Sequence, residues 1–279
     1  MTALAIPHPG RIVAAAGERL VLPAALLLGW QLVANASPSP FFPPPVSIVQ
    51  RARETWLASD PARLWLSEAA VADLLPSLGR LLAGFVLAVA LGVLGGVALG
   101  LLPRTVPYVA PLLAVARSVP PPAFIGVFLV MFGIGAGSKI TLIAFGSIWP
   151  VLLNTTDGVR ATSRRQLDTC RAFDVGWVRR LIWVVLPSAS PKIFAGIRIA
   201  LAISVIMMVV SEMVASTNGL GFHIVQSQRS FSILDMWAGI IALAVLGATL
   251  NGLLHVVEMR LLRWHHGATG RLSPSNRRS

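Results

Sequence analysis

Residues 79–102 read GRLLAGFVLAVALGVLGGVALGLL, a run whose only charged side chain is Arg80. A lipid hydrocarbon core is about 30 Å thick and takes about 20 apolar residues of α-helix to cross. The run meets that requirement, so it reads as a membrane span. Within it Gly84, Ala88, Gly92, Gly96 and Gly100 recur every fourth residue. That period puts all five on one helix face, where small residues let another helix approach closely. The plainer reading is packing against a helix of the same chain; the other is contact with a second chain.

Working outward, five further stretches have the same character: 19–36, 107–133, 138–156, 193–216 and 236–258. The third span is interrupted by Pro120, Pro121 and Pro122, and the fourth carries Pro150. Proline removes helix hydrogen bonds, and such segments persist in lipid only when neighbouring helices or a cavity cover the freed groups. The expected fold is therefore all-α: a polytopic membrane helical bundle of six transmembrane helices. Its parts are an N-terminal segment 1–18, a transmembrane domain 19–260 with a long loop at 157–192, and a tail 261–279. Composition agrees, with 55% hydrophobic and 12% charged side chains, about half the charge of a soluble domain.

The formal net charge of +12 is divided by loop rather than gathered on a face. With the N-terminus inside, the outer segments hold Arg51, Arg53, Arg63, Arg80, Lys139 and Arg229. The remaining 17 of the 23 basic residues fall on the inner side. Basic residues favour cytoplasmic loops, so both termini are expected in the cytoplasm, and the charge is topogenic rather than a nucleic-acid footprint. The single Cys170 excludes an intrachain disulfide, and the five His residues show no ligand spacing, so no metal site is expected. No signal-peptide pattern precedes the first span, which reads as retained. Trp30, Trp149, Trp237 and Trp264 fit an aromatic belt at the span ends.

Two segments between spans are long. The outer stretch 37–78 opens on SPSPFFPPP, which favours extended backbone, and continues as a helical segment through Trp56 and Trp65. The inner stretch 157–192 reads DGVRATSRRQLDTCRAFDVGWVRRLIWVVLPSASPK. Two helical pieces flank Asp174-Val175-Gly176, where Gly176 supplies a turn or cap. Trp177, Leu181 and Val184 or Val185 share one side of the second piece, Arg179 and Arg180 another, and Leu186-Pro187 is expected to stop it. A basic amphipathic hairpin of this kind could lie on anionic lipid or plug a groove on a cytosolic partner. Periodicity leaves both open.

This loop resembles the coupling segment of binding-protein-dependent ABC importer permeases, patterned E-A-A, three residues, G, nine residues, I, one residue, L-P. Asp168, Thr169 and Cys170 stand at the E-A-A positions, followed by Arg171. Asp174 stands at the glycine, Val184 at the isoleucine, and Leu186-Pro187 matches outright. ARSVPPPAFIGVFLVMFGIGAGSKI (116–140), PSASPKIFAGIRIAL (187–201) and SEMVASTNGLGFHI (211–224) resemble the flanks of this loop in the sulfonate, taurine and nitrate branch. The resemblance implies a bacterial inner-membrane permease that carries a small anionic solute. Its implied partners are a cytosolic ATP-binding-cassette ATPase dimer, a second permease copy or paralogue, and an external solute-binding protein, besides membrane lipid. It implies no cofactor in this chain, with MgATP on the ATPase. The sequence agrees: Gly133–Lys139 (GIGAGSK) lacks the G-x-x-x-x-G-K-[ST] spacing of a phosphate loop.

Several positions remain as candidates for the solute path. Ser204, Met207, Met208 and Ser211 share a helix face, which suits a pore lining, although such a stripe is more often plain packing. Glu212 is the acid that lies at membrane depth, where ionisable groups are functional or paired. A structural or gating role outweighs direct solute contact. Asn218, Gly219 and Gly221 form an outer turn where a binding protein would dock, and His223 is read as an ordinary interfacial side chain. The alternative to the importer is an ion-gradient-driven secondary carrier, which would call for further buried carboxylates with basic partners.

Overall fold

The computed structural model describes residues 9–57, 65–214 and 216–262, and among them there is no β-strand. Among the described residues four helices are long and apolar enough to cross a membrane, Ala70–Leu101, Ala136–Arg160, Trp177–Val214 and Ile233–Leu261, which makes five spans if a bent pair counts as one. The elements are α1 (Pro9–Ala36), α2 (Pro45–Trp56), α3 (Leu75–Leu101, extended backward by a π turn at Ala70–Leu74), α4 (Val106–Ser118) and α5 (Ile125–Phe132). There follow α6 (Ala136–Arg160), α7 (Arg164–Ala172), α8 (Trp177–Arg180), α9 (Leu186–Val214), α10 (Leu220–Arg229) and α11 (Ile233–Leu261). A π turn at Leu181–Val185 joins α8 to α9 into one rod, Trp177–Val214.

The protein is thus an all-α polytopic membrane protein, with differences from the expected spans. The third span is a bent pair, α4 and Pro121–Phe132, meeting at 81° across the three prolines. The described apolar part of α1 is Val21–Ala36. Helix α2 stops at Trp56 rather than running on to Trp65, which has a left-handed backbone (φ 64°) next to an isolated bridge between Leu57 and Leu66. Leu186-Pro187 does not stop a helix. Proline is tolerated in the first turn after a π turn, where its missing N–H costs little, so the rod runs straight on.

The glycine stripe finds its partner in the same chain. The ideal Cβ of Gly84 falls 2.6 Å from Ile143 Cβ, that of Gly92 2.7 Å from Val151 Cβ, that of Gly96 2.5 Å from Thr155 Cβ and that of Gly100 2.6 Å from Val159 Cβ. The offset in sequence is constant, so α3 and α6 run parallel, and every fourth residue of α6 fills a notch in α3. Thr156 Oγ1 reaches the Gly96 carbonyl at 3.3 Å, a measure of how close the backbones come. On its other side α6 packs antiparallel to α9: Gly196 lies under the Pro150 carbonyl, and Ser147 and Ser204 share a buried hydroxyl pair at 2.8 Å. The third core cluster, Val159, Val185, Ala189 and Ile193, sits where α7 joins.

Trp30 and Trp237 meet Phe42 in one aromatic cluster, with ring centroids 5.1 to 6.3 Å apart, tying α1 to α11 through the proline-rich connection. Trp149 instead lies near the middle of α6, edge-on to Phe145, because an indole also packs well inside a bundle. Trp264 lies outside the described residues, as do 263–279 of the expected tail.

Gly96→Ala forces a methyl into Thr155 and should lower stability in detergent by about 1–3 kcal/mol, as overpacking does. Gly247→Ala, with nothing within 4 Å of the added methyl, should leave Tm unchanged or slightly raised. Thermal unfolding of the two purified variants checks the pair.

Candidate functional site

At one end of the bundle a buried carboxylate organises four elements. Glu212, fully buried near the end of α9, accepts the Ser77 hydroxyl proton between its two oxygens (2.9 and 2.7 Å) and Arg80 Nη1 on Oε1 at 2.7 Å. The Gly221 N–H donates to Oε2 at 3.1 Å. Arg80 also grips the α9–α10 connection, donating to the Asn218 carbonyl at 3.2 Å and to the Asn218 side-chain oxygen. Ser77 in turn accepts the Leu220 N–H at 2.8 Å. One turn earlier, Asp73 takes the Gly219 N–H at 2.8 Å and stands 3.4 Å from His223 Nδ1. The His223 ring lies 4.9 Å from Trp56, whose indole N–H donates to the Ala238 carbonyl at 2.9 Å.

Two glycines make this possible. Gly219 has φ 116° and ψ 163°, a region open essentially to glycine alone, and a Cβ there would lie 2.6 Å from Glu212 Oε1. A Cβ on Gly221 would lie 2.6 Å from the Val209 carbonyl. The turn is therefore wrapped around the carboxylate. Asn218, Gly219 and Gly221, expected as an outer docking turn, and Glu212, expected as a gate, form a single hydrogen-bonded knot. Lys139 is buried nearby at the start of α6, its ammonium donating to the carbonyls of Ile134 (2.8 Å) and Gly135 (3.3 Å).

Ser204, Met207, Met208 and Ser211 are all buried within the protomer. Ser204 pairs with Ser147, Ser211 bonds back to the Met208 carbonyl at 2.7 Å, and Met207 fills the space over Gly146. Met207 and Met208 belong to the core cluster with Leu81, Ile143 and Leu201. In the single chain the stripe packs helices together.

The 164–187 segment lies at the opposite end. Helix α7 ends in a paired cap: the Val175 N–H reaches the Cys170 carbonyl at 2.9 Å, and the Asp174 N–H reaches that of Arg171 at 3.1 Å. This is the Schellman arrangement, which places its C′ residue in the left-handed region. That residue is Asp174, with φ 48°, and Asp is among the few non-glycine residues that take this conformation at low cost. Gly176, expected to provide a turn or cap, has φ −53° and is the N-cap of α8, so the left-handed turn falls to Asp174. Asp168 and Arg171 form an exposed ion pair at 2.9 Å, and the Thr169 hydroxyl returns to the Arg165 carbonyl at 2.9 Å. Cys170 is buried, and with Thr169, Trp183, Val184 and Pro187 it lines a cleft between α7 and the rod. Phe173, Trp177 and Trp183 stand out from this end, 79%, 67% and 77% exposed.

The family model for binding-protein-dependent transport system inner membrane components matches residues 88–263. The chain belongs to this family. A Bacillus subtilis (strain 168) protein named as an aliphatic sulfonates transport permease is 32% identical over 264 residues, covering 94% of this chain and 92% of its own. The taurine transport system permease of Escherichia coli (strain K12) is 33% identical over 250 residues, 87% of each chain. The bicarbonate transport system permease of Synechococcus elongatus is 29% identical over 253 residues, 88% of this chain and 91% of its own. The chain is accordingly a permease of an ABC importer and a multi-pass inner-membrane protein, not an ion-gradient-driven carrier. In this permease the residues that sequence reasoning missed are Asp73, Ser77 and Arg80. Arg80 reads in the sequence as an outer topogenic charge; its signal is that it stands one residue inside an otherwise uncharged span.

Glu212→Gln leaves the Arg80 guanidinium without its counter-charge, and breaking one side of a buried pair costs about 3–5 kcal/mol. Replacing both, Arg80→Met with Glu212→Leu, should cost less than the two single changes added together. Strictly additive Tm losses in purified protein would show that the two side chains act independently.

Proposed function

We propose that this chain forms half of the translocation path of an ATP-driven importer for a small, anionic solute of the sulfonate or taurine kind. Both termini face the cytoplasm, and 164–187 is the segment that receives the ATPase. The carrying observation is the α7–α8 hairpin. Its Schellman cap fixes the angle between α7 and the rod, while Phe173, Trp177 and Trp183 are presented on the side where basic residues accumulate. Apolar aromatics grouped outside the bilayer mark a protein interface, which favours a protein groove over lipid as the seat of this hairpin. The solute class follows the relatives, whose names specify aliphatic sulfonates, taurine and bicarbonate. MgATP belongs to the separate ATPase pair, and a second permease copy or paralogue and an external solute-binding protein complete the assembly.

Affinity purification from gently solubilised native membranes should recover an ATPase subunit in amounts comparable to the permease. Asp174→Gly keeps the left-handed cap and should retain the ATPase. Asp174→Val puts a β-branched residue where φ is positive and should reduce the co-purified ATPase at least tenfold, with the permease still folded. Equal recovery with both variants would remove the hairpin from the coupling role. A permease recovered without any ATPase would remove the importer reading.

A further inference from the structure

The break between α4 and α5 is the part of the span set that the functional reading leaves without a role. Helix α4 ends at Ser118, Val119 is extended (φ −79°, ψ 125°), and Pro120–Pro122 open the next helical segment. In a continuous helix the N–H groups of residues 120, 121 and 122 would bond the carbonyls of Ala116, Arg117 and Ser118. All three are proline and have no N–H. Beyond the break the Ala123 N–H donates to the Pro120 carbonyl at 2.9 Å and closes the first turn of the next segment, while the Ser118 hydroxyl turns back to the Ala114 carbonyl at 2.6 Å.

The depth of the break follows from its neighbours. Pro121 packs over Gly146, close to the midpoint of α6, with Met207 of α9 on the same spot. Phe124 then continues into the Phe128 and Phe145 rings, with centroids 4.8 to 6.0 Å apart. One side of the break thus seals onto the α6–α9 core beside Met207, one member of the stripe that the sequence offers as a pore lining. Ser118, Val119 and Pro120 on the other side are exposed from the protomer. Free backbone groups at mid-membrane depth are tolerated only where protein buries them or where they line a water-filled cavity, and helix breaks of this kind mark the solute path in other transporters. The protomer does not bury them.

We propose that the Ser118–Pro120 backbone lines a water-filled stretch of the translocation path at mid-membrane, with the second permease subunit closing it from the far side. The inference rests on the importer reading for what the path carries, and on the backbone for where it runs. The break offers the carbonyls of Ala116, Arg117 and Ser118, whose helical partners are prolines, as acceptors. The nearest charge, Arg117, lines a separate groove with Asp157 and Arg160. This chemistry suits water and the N–H or O–H groups of a small solute, and it holds no fixed cation to trap an anion in transit.

The test uses the full transporter in membrane vesicles of both orientations, with and without ATP, in a Cys170→Ser background. Ser118→Cys and Val119→Cys are compared with Leu94→Cys and Val245→Cys on outward faces of α3 and α11, positions 69% and 60% exposed in the protomer. The probe is a membrane-impermeant, positively charged methanethiosulfonate. Positions 118 and 119 should react at least tenfold faster than 94 and 245 in at least one condition. Rates equal to those controls in every condition would overturn the proposal. So would absence of labelling together with a spontaneous disulfide between two copies at 118 or 119, which would make the break a dry permease–permease contact. Reactive positions in a permease that recovers no ATPase would leave the path in place and remove the importer reading; recovery of the ATPase with unreactive positions would do the reverse.

Discussion

The parallel contact of α3 with α6 is the constraint on which the other arrangements rest. Lipid tails are as apolar as leucine, so the hydrophobic effect gives membrane helices little reason to associate, and close packing has to supply it. A glycine or alanine every fourth residue along α3 lets the side chains of Ile143, Val151, Thr155 and Val159 drop to backbone level. Fixing these two helices along their length also fixes their ends. Ser77 and Arg80 are held over the last turn of α9 at one end, and Val159 is held against Val185 and Ala189 at the other.

The rod Trp177–Val214 joins those two ends directly. At 1.5 Å per residue its 38 residues span about 57 Å, with the Asp174 cap immediately before it and Glu212 in its last turn. The α7–α8 hairpin, proposed as the ATPase seat, and the Glu212 knot are therefore joined by one helix rather than through side-chain contacts. The π turn at Leu181–Val185 is the irregularity near its start. A displacement applied to the hairpin has a stiff element along which to act, and Pro191 lies within the rod without interrupting it.

The sequence discloses what the bilayer demands and little of what the fold decides. The four long spans, their order and the proline interruption are legible because lipid imposes length and apolarity on every crossing segment. The small-residue face on α3 is legible too, but its partner is not: glycine signals that something comes close and carries no information about what. Glu212 is visible as a buried acid, whereas its ligands come from Ser77 and Arg80, more than 130 positions away, and no local pattern points that far. The residues at 174 and 176 show a different limit. The sequence offers Gly176 as turn or cap; it caps α8 in a conformation any residue could take, while the left-handed turn falls to Asp174. Composition names the residues suited to a turn; hydrogen-bond closure from Cys170 and Arg171 decides which of them occupies it.

Burying a carboxylate and a guanidinium together costs several kcal/mol of desolvation for each, and mutual attraction offsets this only when the remaining polar atoms are also satisfied. Glu212 meets that condition, with donors from Ser77, Arg80 and Gly221, while Arg80 also donates from Nη1 and Nη2 to Asn218. Every one of these partners sits on α3, on the α9–α10 connection or on the first turn of α10. Pulling α10 away from α3 would strand a buried charge, so the low-energy movement of this end is as one body. The break at Ser118–Pro122 is the opposite case: its three prolines have no N–H to bond back to α4, and moving α4 against α5 gives up no ladder hydrogen bond. Within the described spans, rigidity is concentrated where the polar groups are paired, and freedom to move where the prolines have left them unpaired.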